Sequence, residues 1–445
     1  MMAIMRPRLA GCLLCLGLAL APTASRAAGL TPLEAKLAAS VDRHLPDALA
    51  LLERVVNINS GTMNPAGVRA VSTLLAPEFE RLGFQTRWVD GARWGRAGHL
   101  IAERIEAGPM VVLVGHLDTV FEADSPFQRF QRLDDSTATG PGVIDMKGGD
   151  VIMLLALRAL REQGVLDHLR VVVVLTGDEE KAGLPLSAAR ADLISAAQGA
   201  AAAIGFEDGD GDPRHVVVSR RGASGWQLTV RGTPAHSSQV WTDDIGMGAV
   251  YEAARLLEQF RDSLGHEPYL TLNPGLALGG TSLVLDSTGA RGTAFGKTNV
   301  VAESTLVTGD LRALTPEQAL LAQAALRRIV ANPSPHTSAS IEFEDGYPPL
   351  APTDGNRRLL AKADLASRDL GLGPLEPVDP ARAGAADVSF LAGHVPMVID
   401  GMGLKGSGGH TVLETARLST LPRQAKRVAV LLSRLANDGS APRKP

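Results

Sequence analysis

Seven residues of this chain have the side chains of a metal centre and stand where such side chains can converge. His116 and Asp118 come just after an apolar run ending at Val114, in Gly115-His-Leu-Asp-Thr119. Asp145 lies in Gly140-Pro-Gly-Val-Ile-Asp-Met-Lys-Gly-Gly149, ahead of a helical stretch. Glu179 and Glu180 follow the run from Val171 to Leu175, and Glu207 follows the run from Ala201 to Phe206. His410 comes late, in Gly408-Gly-His-Thr411. Singly, each has an ordinary reading: a loop histidine, a helix cap, a solvated acidic turn. As a set they place a histidine or carboxylate at four strand ends and one helix start, where open α/β sheets bind ligands. Mixed imidazole and carboxylate donors suit zinc, and a carboxylate has two oxygens with which to bridge a metal pair. Of the adjacent Glu179 and Glu180, one can ligate while the other takes a proton from an activated water.

The elements that must carry these residues read as an α/β layer. Met110 to Val114 and Val171 to Leu175 are short continuous apolar runs, as buried parallel strands are. Val151 to Leu160, with Arg158 and Arg161 turned outward, is a helix between them. Upstream, Val41, Leu45, Leu49 and Leu52 share one helical face, and Pro46 predicts a kink or a fresh start there. Asn57 to Gly67 reads as a loop. Near Ser219 the pattern changes to period-two runs at 227–231, 303–308 and 339–343, with helical stretches at 246–263 and 316–330. That describes a small α+β domain with an antiparallel sheet. After Tyr347 the α/β pattern returns, with an apolar strand from Val395 to Ile399 and a final helix from Pro422 to Leu435. The expected architecture is a mainly parallel sheet flanked by helices, spanning 28–218 and 347–445, interrupted by a smaller domain at 219–346.

Composition narrows the function further. Across 445 residues, 45% are hydrophobic and 21% charged, enough for a packed core. Lys+Arg of 44 against Asp+Glu of 48 gives a net charge of −4, which lacks the basic face of a nucleic-acid binder. Residues 1–27 read as a secretory signal: Arg6 and Arg8, the uncharged run from Leu9 to Ala21, then Ser25-Arg26-Ala27. Thirteen residues are too few to span a bilayer, which takes about 20. Both cysteines, Cys12 and Cys15, fall inside this segment, so the processed chain has no thiol chemistry. Leu9-Ala10-Gly11-Cys12 sits at the start of the apolar run, whereas a lipidation box follows it. Removing the signal deletes three arginines and no acid, giving −7. A periplasmic or secreted protein with no membrane attachment after processing is expected. The sequence has no His-Glu-x-x-His helix and no Gly-x-Ser-x-Gly elbow. Gly401 to Gly406 fits Gly-x-Gly-x-x-Gly but runs into loop rather than helix, unlike a dinucleotide site.

These motifs together resemble the zinc-dependent metallopeptidases that include glutamate carboxypeptidases, aminoacylase-type deacylases and succinyl-diaminopimelate desuccinylase. The resemblance runs from about Leu49 to the final helix. It rests on the motifs around His116, Asp145, Glu179, Glu207 and His410, and Val55 to Thr62 looks like the glutamate carboxypeptidase branch. It implies two zinc ions per chain bridged by Asp145, with His116 and Glu207 completing one ligand set and Glu180 and His410 the other. Glu179 would be the general base, and Asp118 would fix the tautomer of His116. The inserted domain would be a lid that also forms a homodimer contact. His236, in Gly232-Thr-Pro-Ala-His-Ser237, matches an oxyanion donor commonly supplied across the dimer, and Asn299 and Arg312 match residues that hold a substrate carboxylate. A guanidinium suits that task because its fork meets both oxygens. The implied activity is hydrolysis of an amide bond beside a free carboxylate in a small peptide or N-acyl amino acid, with release of a C-terminal Glu-like residue. A deacylase or dipeptidase would use the same metals, and a non-catalytic binding protein should have lost some of them. Two departures bear on substrate choice: Lys181 to Pro185 replaces the usual Gly-Ser continuation, and 282–298 is long and rich in Gly and Thr. Asp387 falls near a substrate-contacting loop and receives no role.

Overall fold

The computed structural model describes residues 29–286 and 290–438. Residues 1–27, read from the sequence as a secretory signal and containing both cysteines, lie outside the described residues. Helix α1 (Pro32–Val56) opens with a capping box between Thr31 and Glu34 and has a proline at its first turn. It passes Pro46 without a break. Leu37, Val41, Leu52 and Val55 are buried along one face, and that packing overrides the local proline penalty. The loop predicted from Asn57 ends at Asn64, which caps α2 (Pro65–Arg81) through the Gly67 amide.

The central sheet contains β1 (Gln85–Asp90), β2 (Gly98–Arg104), β3 (Met110–His116), β4 (Arg170–Thr176), β5 (Ala202–Gly205) and a last short strand, Val398–Ile399. Its spatial order is β1-β2-β4-β3-β5 and then 398–399, with parallel pairing from β4 onward and antiparallel pairing of β1 and β2 at one edge. That edge was not evident from the sequence, because β1 is polar and half exposed and β2 begins at a glycine. Helix α3 (Lys147–Glu162) connects β3 to β4, as the apolar runs require. The register places His116 opposite Thr176 and Val114 opposite Gly205. The carboxyl ends of β3, β4 and β5 therefore open at one level, and their next residues meet.

The inserted segment forms its own antiparallel sheet. It comprises β6 (Ser224–Gly232), β7 (Thr271–Gly280), β8 (Ser304–Arg312) and β9 (Thr337–Phe343), ordered β7-β8-β6-β9. Helices α4 (Gly248–Leu264) and α5 (Pro316–Val330) pack on this sheet around Trp226, Leu228, Phe260, Val307 and Leu326. The Gly/Thr-rich stretch is a hairpin of Ser282–Leu285 with Gly292–Phe295. The chain then returns through α6 (Asp354–Asp369), the strand 398–399, which we label β10, and α7 (Thr420–Asp438). Among the described residues no helix is long and apolar enough to cross a membrane.

The lid's buried cluster shares no residue with the cluster beneath the central sheet. Phe260→Ala should therefore cost about 3–5 kcal/mol in a chemical denaturation of the lid, while bound metal in the folded protein stays unchanged. A loss below about 1 kcal/mol would contradict the packing described.

Candidate metal centre

The ends of β3, β4 and β5 deliver His116, the Glu179–Glu180 turn and Glu207 to one place. Asp145 arrives on the turn before α3. His410 arrives on a hairpin between Gly406–Ser407 and Thr415–Arg417, whose second strand pairs with Thr137–Thr139. This pairing brings chain segments some 270 residues apart into contact: Glu414 accepts bonds from the amides of Gly142 and Ile144 at 3.0 and 2.8 Å. It also accepts one from the Asp145 amide at 3.3 Å. Buried Glu414 thus ties the Asp145 turn to the His410 hairpin.

The ligand atoms form two groups with Asp145 common to both: His116, Asp145 and Glu207, and Asp145, Glu180 and His410. Within each group they lie within 4.8 Å of one another. Asp145 Oδ1 is 3.2 Å from His116 Nε2, and its Oδ2 is 2.9 Å from His410 Nε2. Glu207 Oε1 is 3.5 Å from His116 Nε2, and Glu180 Oε2 is 3.2 Å from His410 Nε2. One carboxylate thus presents one oxygen to each group.

Behind the ligands lies Asp118, fully buried. Its Oδ1 is 3.4 Å from His116 Nδ1, whose other neighbour is the Asp118 carbonyl at 3.0 Å. With the proton held on Nδ1, Nε2 keeps a free lone pair facing the cluster. The same carboxylate accepts from Thr62 Oγ1 at 2.6 Å and from the amides of Glu179 and Glu180 at 3.0 and 3.2 Å. Asp118 therefore positions both halves of the site. The sequence motif indicated only its link to His116.

The electrostatics suit a bound cation. Burial, with the neighbouring carboxylates of Asp387, Glu180 and Asp145, pushes Glu179 well above the usual carboxylate range despite His116. Burial also raises Glu180 and Glu207, each facing Asp145. Hydrogen bonds to Asp145 and Glu180 raise His410 to about 11. Burial opposes the charge on Asp145, but bonds to both histidines hold its carboxyl well below the usual range. Glu180 Oε1 is buried with no hydrogen-bond partner. Crowded acids, an orphaned carboxylate oxygen and two imidazole nitrogens aimed inward fit divalent metal.

A second buried network backs the Glu179 turn. Arg190 donates to Asp178 Oδ1 and Asp387 Oδ1, each at 2.7 Å, and Thr176 Oγ1 donates to Asp387 Oδ2 at 2.5 Å. Asp387, left without a role from sequence, is thus half of an internal charge pair. Arg190 carried no sequence signal at all. The Lys181 to Pro185 departure is pinned by Arg96, which donates to the carbonyls of Lys181 and Ala182.

The lid residues separate into two places. His236 and Asn299 are exposed and adjacent: the amide of Ser237 donates to the Asn299 carbonyl at 2.9 Å, and His236 bridges Val300. Arg312 ends β8, where its Nε donates to Asp310 Oδ2 at 2.8 Å. Asn299 precedes the other end of that nine-residue strand, so the two lie on the order of 26 Å apart. Within one chain, Asn299 and Arg312 cannot grip the same carboxylate.

A strand-end metal cradle under an inserted lid is the layout of the metal-dependent peptidases and amidohydrolases, and the comparisons agree. The profile of Peptidase family M20/M25/M40 matches residues 112–434, and the chain belongs to that family. It is 26% identical to carboxypeptidase G2 of Pseudomonas sp. (strain RS-16) over 400 residues, 87% of this chain and 89% of that protein. It is 26% identical over 376 residues to succinyl-diaminopimelate desuccinylase of Acidiphilium cryptum (strain JF-5), covering 82% and 92%. In fold it resembles aminopeptidase PepT of Bacillus cereus ATCC 10987, with a TM-score of 0.69, 20% identity, and coverage of 88% and 99%. A dinuclear metal-binding M20 peptidase of Bacillus subtilis superposes with a TM-score of 0.61 at 14% identity, covering 89% and 99%.

Because Asp145 serves both groups, Asp145→Ala should abolish binding of both metals, whereas Glu207→Ala or His410→Ala should each remove one. Metal content per chain, measured by elemental analysis after dialysis, decides this. Equal stoichiometries in all three variants would contradict the shared-ligand geometry.

Proposed function

We propose that the protein is an exported, homodimeric di-zinc carboxypeptidase that releases a C-terminal Glu-like residue from a small peptide or N-acyl amino acid. The observation that carries the reading is the shared Asp145 flanked by two histidine–carboxylate groups, with Glu179 beside the cluster but in neither group. Similarity to carboxypeptidase G2 over 87% of this chain supports the substrate class. Zinc is favoured by the mixed nitrogen and oxygen donors. Bound there, two zinc ions would polarise the scissile carbonyl and make water a competent nucleophile at neutral pH.

The chain's own residues do the rest. Glu179, its carboxyl raised by burial, takes a proton from the attacking water and returns it to the leaving amine nitrogen. Arg312 offers a forked donor to the substrate's free carboxylate. His236 donates to the developing oxyanion. The separation of His236 and Asn299 from Arg312 favours a dimer, in which one protomer supplies the first pair and its partner supplies the guanidinium. Export rests on the signal-like 1–27 segment.

A deacylase or dipeptidase specificity would keep the same centre. A panel of N-acyl amino acids, dipeptides and peptides ending in Glu should give the highest kcat/KM for the Glu-terminated members. Arg312→Lys should lower kcat/KM for them by about 10-fold or more, since an ammonium cannot meet both oxygens. Equal rates on substrates lacking the free carboxylate would contradict the assignment. Glu179→Gln should keep both metals and lose about 100-fold or more in kcat. Near-normal turnover would remove Glu179 as the base.

A further inference from the structure

The chain crosses between lid and catalytic sheet twice, at 219–223 and 344–350, and the two crossings pair with each other. Arg220 bridges Leu350, and Ala223 bridges Tyr347. From the second crossing Tyr347 reaches into the catalytic half. Its hydroxyl donates to the Glu179 carbonyl at 2.9 Å and accepts from Arg190 Nη2 at 2.6 Å. Its ring meets Phe390 edge-on at 5.0 Å.

The bonding of the Glu179 turn shows why this contact matters. Its amide and that of Glu180 go to Asp118, the Asp178 carbonyl goes to Arg190, and the Glu179 carbonyl goes to Tyr347. Of these partners, Asp118 and Arg190 belong to the catalytic half. Only Tyr347 comes from the hinge. Arg190 is locked by Asp178 and Asp387, so it fixes the hydroxyl from the catalytic side while the Ala223 amide, donating to the Tyr347 carbonyl at 2.9 Å, fixes its main chain from the hinge.

We infer that Tyr347 is a positioning residue for Glu179, which couples the seating of the lid to the orientation of the base. The inference rests on the assignment of Glu179 as that base. A base held by rigid partners loses rate quickly when displaced, by about 100-fold for an ångström. Rotation at the hinge carries one end of the Tyr347 link with it. The lid's closure would then set the base as well as cover the substrate.

Tyr347→Phe removes one oxygen and keeps the ring against Phe390, and Arg190 keeps both carboxylate partners. Hydrolysis of N-benzoyl-L-glutamate should show kcat lowered about 10- to 100-fold, with KM within about twofold of wild type and both metals retained. Hydrogen exchange in a peptide covering 176–182 should accelerate in the variant, while a peptide from β3 stays protected. In a Glu179→Gln background the same substitution should cause no further loss of kcat, because the two act as one unit. Wild-type kcat, unchanged exchange at 176–182, or loss of metal together with kcat would overturn the inference. An active Glu179→Gln protein is a different failure, read on a different variant: it would remove the base assignment itself.

Discussion

The site depends on one carboxylate with two faces. Asp145 meets His116 through one oxygen and His410 through the other, and these histidines lie almost 300 residues apart in the chain. Three constraints put it there. The sheet register sets His116 at the end of β3, the short pairing of 137–139 with 415–417 delivers the hairpin, and Glu414 holds the Asp145 turn through three amides. Moving any of these would split the cluster into two incomplete groups. The parallel sheet is thus the frame that sets one half of the site, and the Asp145 turn is the joint to the other.

Such a cluster is expensive to fold without its cation. Several carboxylates share a partly buried space with two imidazoles, and burial raises Glu179, Glu180 and Glu207 toward their neutral forms. The protein offsets part of this with fixed donors: Asp118 gathers a hydroxyl, an imidazole and two amides, and the one guanidinium of Arg190 is shared between Asp178 and Asp387. These buried networks are worth most when every member is satisfied. They make the Glu179–Glu180 turn rigid on the catalytic side, and Tyr347 hydrogen-bonds it to the hinge.

Much of this was legible in the sequence, for physical reasons. Buried parallel strands are continuous apolar runs, so β3, β4 and β5 announced themselves, and residues just past them were natural candidates for a strand-end site. Three of the lid strands, β6, β8 and β9, showed as alternation and α5 as a helical stretch from Pro316, whereas β7 was not anticipated. The antiparallel edge of β1 and β2 was hidden by polar composition, and α6 was not anticipated, its sequence being mostly polar and charged. The predicted strand from Val395 shrinks to Val398–Ile399. The supporting residues were harder still. Glu414, Arg190, Asp387 and Tyr347 act through contacts between distant segments, and no local spacing marks a long-range hydrogen bond. The separation of Asn299 from Arg312 likewise needed the strand between them to be seen.

Membership of the M20/M25/M40 family makes the chain a metal-dependent peptidase or amidohydrolase, and we propose that the shared Asp145 gives that chemistry its place. The most direct test of the account is release of free glutamate from an N-acyl-glutamate by the purified protein, measured before chelation, after it, and after zinc is restored. Release should be abolished by chelator and recovered on addition of about two equivalents of zinc per chain. Release that persists in fully demetallated protein would contradict it.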